Sequence, residues 1–241
     1  MAAPVLDDVV NANPNPNGSS KTITGHVMGS GSGGLVVVQV ISTNQQTHAS
    51  ATYGGQAMTR ELHIQRGGIS QRMSFWYLEN PPTGANSFVI NFGGGMYNPI
   101  AVHIRSFTGS DGVGNKLQKG AQGINYVVAG STYKQNDGRN VSTGATFPLT
   151  VSQDSRIMMM SASSGPAFHA TYGMQIPKDT NLTYYSASTT KQVALGAVSA
   201  GLNAGSIDLR AVVVSGTCTC DRIEIKGTSG GGGSTRRIII V

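Results

Sequence analysis

The chain has 241 residues, of which 12% are charged and 33 are glycine. These are about half the usual share of charge and about twice the usual share of glycine. A chain of this length fits one all-β domain and buries a core without disulfides or a metal. The net charge is +6, but the basic residues are scattered and Arg236–Arg237 is the only adjacent pair. Because phosphate binding needs clustered cations, this pattern argues against a nucleic-acid partner.

The start of the chain, residues 1–18, is predicted to be an extended N-terminal arm. Its Asn-Pro-Asn-Pro-Asn-Gly stretch favours extended, turn-rich backbone. It has neither the basic n-region nor the apolar h-region of a signal peptide, and no span resembles a transmembrane helix. We therefore expect no membrane partner, and release by cell lysis if the protein works outside a cell.

Residues 19–226 are predicted to form one antiparallel β-sandwich domain. Short runs of strand-forming residues follow one another, separated by glycine-rich turns, and none keeps a helical period. The run GLVVVQVI, residues 34–41, is apolar on both faces, as expected for a strand inside a covered sheet. With no helix to cover a sheet, two sheets must cover each other.

The clearest alternating strand is IAVHIRSF, residues 100–107. Ile100, Val102 and Ile104 are expected on one face, with His103 and Arg105 on the other. The run DRIEIKG, residues 221–227, repeats this pattern.

The end of the sequence combines a Gly/Ser-rich tether, residues 227–235, with a β-type docking tail, residues 236–241. The tail is strongly β-forming and contains no proline, so it would aggregate if left exposed. We expect Ile238, Ile239, Ile240 and Val241 to add a strand to the sheet edge of a neighbouring molecule. Arg236 and Arg237 would steer the tail to acidic groups. The alternatives are a tail that folds back on its own sandwich, a disordered end, or an engineered Gly-Gly-Gly-Gly-Ser linker.

Two linked motifs carry a family resemblance. TYGGQAMT, residues 52–59, precedes FWYLENPPTGANSFVINF, residues 75–92. The pair resembles a glycine-rich β-sandwich family of phage virion proteins and bacterial surface proteins. RSFTGSDGVGNKLQ (105–118) and SIDLRAVVVSG (206–216) are similar to its later landmarks. The resemblance covers about residues 20–215, and it implies a jelly-roll-like sandwich with a structural or display role and no established catalytic residues.

The motif glycines and prolines also have a structural interpretation. Gly54-Gly55 permits the positive φ angles of a two-residue hairpin turn. The segment Pro81-Pro82-Thr83-Gly84 is predicted to end the strand that carries Trp76, because proline cannot extend a hydrogen-bonded ladder.

Catalytic and metal-binding patterns are weak, so no catalytic residue, metal site or cofactor is predicted. The five histidines, His26, His48, His63, His103 and His169, lack the close spacing of metal ligands and are expected to be exposed or at the edge of the core. A glycosidase-like pair, Glu61 with Glu79, has no supporting motif. The loop around Asp111 lacks the regular oxygen-ligand spacing of a calcium loop.

Cys218 and Cys220 are separated by one residue. In an extended strand their Cα atoms are about 7 Å apart, at or beyond the limit for an unstrained disulfide. We therefore expect free thiols or disulfides between subunits.

Tyr172, Tyr184 and Tyr185 lie near Gly/Ser/Thr-rich turns. Their rings could stack on the face of a sugar, although cross-strand packing within a sheet explains them equally well.

These observations lead to an expected function. The first expectation is a non-enzymatic structural protein on the exterior of a bacteriophage virion, as a capsid decoration or cement protein or a tail or fibre subunit. It would assemble as a homo-oligomer, and the family resemblance together with the apolar faces of SFWYL (74–78) favours a homotrimer. It would also contact other virion proteins such as a major capsid or tail protein. The alternative is a carbohydrate- or receptor-binding adhesion module that binds a host surface glycan, and a polysaccharide depolymerase is the third choice.

Overall fold

The structure is a computed structural model of the chain. It describes residues 2–12, 14, 18–43, 47–65, 71–96, 100–127, 132–134, 140–142, 145–164, 178–180, 185–186, 192–199, 205–211 and 215–228.

The described residues form strands and turns, with no helix among them. In chain order the strands are β1 (Val5–Ala12), β2 (Gly18–Met28), β3 (Leu35–Thr43), β4 (Thr47–Tyr53), β5 (Gln56–Ala57), β6 (Thr59–Gln65), β7 (Gln71–Glu79), β8 (Gly84–Met96), β9 (Ile100–Thr108), β10 (Ser110–Val127), β11 (Thr132–Lys134), β12 (Asn140–Ser142), β13 (Ala145–Val151), β14 (Arg156–Ser164), β15 (Lys178–Thr180), β16 (Tyr185–Ser186), β17 (Gln192–Ser199), β18 (Gly205–Ala211) and β19 (Ser215–Gly227).

The strands pair in antiparallel sheets that pack against one another, so the predicted all-β sandwich is confirmed. The central sheet has the order β1-β9-β3-β7-β6, and the second sheet the order β2-β8-β4-β5. The third sheet has the order β12-β11-β10-β19-β14-β17-β15, with β16 beside β17, and β13 pairs with β18 in a two-stranded sheet.

The central sheet is covered on both faces. Its middle strand β3 carries the run that is apolar on both faces, which confirms the prediction for residues 34–41. Alternate β3 residues Val36, Val38 and Val40 pack toward the second sheet, and Leu35 and Val37 pack on the opposite face. Hydrophobic burial on both sides therefore fixes this sheet as the centre of the molecule.

Each interface has its own hydrophobic core. Between the central and second sheets the buried side chains include Trp76, Val102, Ile104, Ile23, Ala51, Tyr53, Phe88, Ile90 and Phe92. On the opposite face of the central sheet they include Ile41, Phe75, Ala101, Phe107 and the third-sheet residues Met158, Ile223 and Ile225.

The first strand lies within the predicted N-terminal arm. Residues Val5–Ala12 pair with β9 and form one edge of the central sheet, with a register shift between Leu6 and Val9. The structure thus joins this part of residues 1–18 to the sandwich. The physical reason is the apolar spacing of the segment: Leu6 packs on one face of the sheet and Val10 on the other.

The motif turn has the predicted geometry. Gly54 and Gly55 connect β4 to β5 with φ angles of 55° and 80°, as a two-residue hairpin requires. Strand β7 ends at Glu79, before the prolines, and β8 begins at Gly84, whose φ is 82°. These glycines therefore form the turns that the sequence predicted within residues 52–59 and 75–92.

Candidate assembly surface

One side of the sandwich ends in two neighbouring edge strands, β1 of the central sheet and β2 of the second sheet. Edge strands leave backbone N–H and C=O groups available for another strand. With 11 residues, β2 is the longest of the four strands that end the central and second sheets, the others being β1, β5 and β6.

Two aspartates join the edges of β1 and β2. Asp7 Oδ2 accepts a hydrogen bond from the backbone N–H of Gly29 at 2.6 Å, and a second from the Ser106 hydroxyl at 3.0 Å. Asp8 Oδ2 accepts one from the backbone N–H of Val27 at 2.7 Å. The carboxylates therefore bind backbone N–H groups at the end of β2, as a neighbouring strand would. Sequence reasoning missed this role, although two adjacent acids between pairs of apolar residues could have indicated it.

Gly29 is part of this junction for a steric reason. A Cβ atom added there would lie 2.6 Å from Asp7 Oδ1. A larger residue would push the carboxylate away from the backbone N–H that it binds.

The first half of β2 lies beyond the aspartates. Among the described strands, β8 alone pairs with it, so its outer backbone edge faces no described strand. Its exposed side chains are small and polar: Ser19, Ser20, Thr22 and Thr24. This combination of free backbone edge and small side chains fits the approach of another strand.

A buried polar contact joins β2 to β4, which lies two strands away in the same sheet. His26 Nδ1 lies 2.6 Å from the Tyr53 hydroxyl, and the two rings meet edge to face at 5.4 Å. Burial lowers the pKa of His26 and raises the pKa of Tyr53 to about 12. Both groups are therefore neutral at neutral pH, and their contact stabilises this edge without a buried charge.

The predicted docking tail, Arg236, Arg237, Ile238, Ile239, Ile240 and Val241, lies outside the described residues. Tyr172 and Tyr184 lie outside them as well, and Tyr185 is described only as a backbone member of β16, opposite Ala194. Both the docking tail and the glycan contact remain predictions.

Cys218 and Cys220 occupy alternate positions in β19. Cys218 lies opposite Ile124 on one neighbouring strand and Ser163 on the other, and Cys220 is likewise paired on both sides. The backbone is therefore extended at both cysteines. The prediction that they form no disulfide with each other depends on this geometry.

The expectation of exposed or core-edge histidines is wrong for His26, His48 and His103, which are at most 1% exposed. For His48 the reason is a buried hydrogen-bond chain. Its Nε2 lies 2.8 Å from the Ser42 hydroxyl and its Nδ1 lies 2.6 Å from the Ser74 hydroxyl. Small polar partners from two strands make this burial tolerable.

The apolar faces of SFWYL also have a different role from the one expected. Phe75 and Trp76 point to opposite faces of β7 and are both buried, at 0% and 3% exposure. Since the chain covers both faces itself, these side chains offer no surface for an oligomer contact. An assembly surface must therefore lie elsewhere, and the sheet edges are one candidate.

The acidic candidates are not grouped as metal ligands in the part of the chain that the structure describes. Among the described residues, no three His, Cys, Asp or Glu side chains come together as metal ligands, and Asp111 is exposed. Glu224 is buried and has a structural role: its carboxylate accepts hydrogen bonds from the backbone N–H of Asn115 at 2.7 Å and of Ser152 at 2.5 Å. Those hydrogen bonds lower its pKa although burial opposes them.

Comparison of the chain with protein-family models, with curated proteins and with solved structures finds no match. The motif resemblance therefore stays a prediction, and the fold is known from the structure itself. No helix in the described part of the chain has the length and apolar character needed to cross a membrane.

Proposed function

We propose that this protein is a non-enzymatic structural subunit of a bacteriophage particle that assembles by strand addition at its sheet edges. The observation that carries the proposal is the outer edge of the first part of β2, which is exposed and lined with small polar side chains. The interior supports the same function, because a central sheet covered on both faces gives a rigid scaffold.

The strand that we propose to add is residues 236–241 of a neighbouring subunit. Its sequence, Arg-Arg-Ile-Ile-Ile-Val, is strongly β-forming and follows a Gly/Ser-rich tether of about nine residues. As a random coil such a tether spans roughly 15–18 Å, enough to reach an adjacent molecule. Backbone hydrogen bonds to β2 would supply the affinity, and alternate isoleucines would give specificity.

The test compares two lysine variants with the full chain by sedimentation velocity. Thr22→Lys places a charged side chain on the β2 edge, where lysine opposes strand addition. Thr83→Lys introduces the same change at an exposed turn residue next to Gly84, which pairs with Met28 at the far end of β2 from Thr22. We expect Thr22→Lys and deletion of residues 236–241 to shift the protein to monomer, and Thr83→Lys to assemble normally.

Unchanged assembly of both Thr22→Lys and the deletion variant would refute strand addition at β2. The particle assignment has its own test, which is detection of the protein in purified phage particles by mass spectrometry and immunogold labelling. Absence from particles together with binding on a glycan array would favour the adhesion-module alternative.

A further inference from the structure

A buried arginine and histidine lie side by side on the central sheet. His103 and Arg105 belong to β9, and each is 1% exposed. Asn11 Oδ1 lies 2.9 Å from Arg105 Nη1 and 2.9 Å from His103 Nδ1. One amide oxygen of the edge strand thus receives two donors, so the guanidinium and the imidazole lie next to each other.

The two remaining donors of Arg105 have no partner. Its Nη1 also donates to the Ile104 carbonyl at 3.1 Å, but Nε and Nη2 make no hydrogen bond in the described part of the chain. These two nitrogens form one edge of the planar guanidinium, and their N–H bonds point the same way. That edge is the one with which arginine commonly binds an anion through two donors.

The charge of Arg105 also has no hydrogen-bonded carboxylate partner among the described residues. Burial lowers the pKa of Arg105 to about 10, which leaves it charged at neutral pH. Burying a cation without a paired counter-charge destabilises the folded state, so an anion at this position would stabilise the fold.

The pKa of the neighbouring His103 is affected by the charge of Arg105. Burial, and then the Arg105 charge, lowers the pKa of His103 to about 3, so its ring is neutral at neutral pH. Because the Asn11 oxygen can only accept, the neutral ring donates from Nδ1 and leaves Nε2 as an acceptor. Nε2 also has no hydrogen-bond partner among the described residues.

We propose that Arg105 binds a small monovalent anion, chloride or an oxyanion of similar size, through Nε and Nη2 beside the central sheet. The slight exposure of Arg105 requires a small ligand, and a single negative charge matches the single guanidinium. Asn11 is exposed and lies on the edge strand, so the site is one strand away from solvent. Exchange with dissolved anions therefore needs only local opening at that edge.

The first test measures the melting temperature of the full chain while sodium chloride replaces sodium gluconate at constant ionic strength. Gluconate is monovalent like chloride but is a much larger anion. A ligand that binds only the folded state raises the melting temperature by mass action, and we expect a saturable rise of about 2–5 °C. Bromide and nitrate should act like chloride.

Arg105→Met should abolish this rise. The matched control is Arg156→Met, because Arg156 is also buried but donates from Nε to the Pro4 carbonyl. The control should keep the full anion dependence. Equal melting temperatures in chloride and gluconate, or the same rise in Arg105→Met, would overturn the proposal and leave water as the partner of the guanidinium.

A second measurement on the unaltered protein covers the case in which Arg105→Met does not fold. An anion at Arg105 would cancel the charge that opposes protonation of His103, so the pKa of His103 should be higher in chloride than in gluconate. Titration of its ring by NMR measures this directly. An identical titration in the two salts would contradict the proposal.

Discussion

Trp76 offers the sharpest test of how the sandwich is held together. It is the only tryptophan of the chain, it is 3% exposed, and it lies in the core between the central and second sheets. Its indole N–H donates to the Ser74 hydroxyl at 2.8 Å, and the Arg60 guanidinium lies 5.7 Å from the ring centre. Trp76→Ala removes all three interactions.

The expected loss follows from these contacts. Replacing a buried tryptophan by alanine costs about 3–5 kcal/mol in transfer and cavity terms. The lost hydrogen bond adds about 1 kcal/mol. The cation–π contact adds about 0.5–1 kcal/mol, since Arg60 is exposed. We therefore expect a decrease in unfolding free energy of about 4.5–7 kcal/mol.

Urea unfolding followed by far-UV circular dichroism measures this loss without relying on tryptophan fluorescence. Trp76→Phe is the control, because it keeps an aromatic ring in the core and removes the indole donor. We expect it to cost about 1–2 kcal/mol. The Ser74 hydroxyl keeps its contact with His48 in both variants. A loss below about 1 kcal/mol for Trp76→Ala would refute the central position of β7 in the core.

Three further predictions concern single positions. Gly54→Ala should lower the melting temperature more than Gly55→Ala does. Both glycines have positive φ, but a Cβ added at Gly54 would meet Pro82 and the Asn86 side-chain oxygen, whereas at Gly55 it would meet no atom within 4 Å. Equal losses in the two variants would show that this steric clash contributes nothing. In gluconate, the unfolding free energy should fall as the pH drops from about 6.5 toward 3, because His103 takes up a proton in the unfolded state but not in the folded state. The contribution of His103 is at most about 1.4 kcal/mol per pH unit. His103→Gln should flatten that slope, and an unchanged slope would show that other groups cause it. Cys218 and Cys220 should form no bridge with each other, so mass spectrometry under non-reducing conditions should detect free thiols or links between chains.

Much of the fold could be predicted because local chemistry and global packing agree. The run around Val37 is apolar on both faces, which is enough to place it inside a covered sheet. Gly54, Gly55 and Gly84 appear where the turns need positive φ. Each of these features depends on a few adjacent residues, so it can be predicted from a single sequence.

The environment of β9 could not be predicted in the same way. Alternation of Val102 and Ile104 with His103 and Arg105 is the pattern of a strand with one face in water, yet the structure buries both faces. Whether a polar face meets solvent depends on what a distant part of the chain places over it. Asp7 and Asp8 were missed for a related reason, since their partners at Val27 and Gly29 lie about twenty residues away.

The burial of both faces of the central sheet also limits where a partner can bind to this sheet. The apolar side chains of β3, β7 and β9 are used within the chain, so the faces of the central sheet offer no surface to a partner. On β2, Asp7 and Asp8 already bind the backbone near Val27, and the segment before it has no described neighbour on its outer side. An incoming strand would therefore be limited to the first part of β2. Because Asp8 and Asp7 already bind the backbone N–H groups of Val27 and Gly29, the aspartate junction would set how far a docking segment can extend along β2.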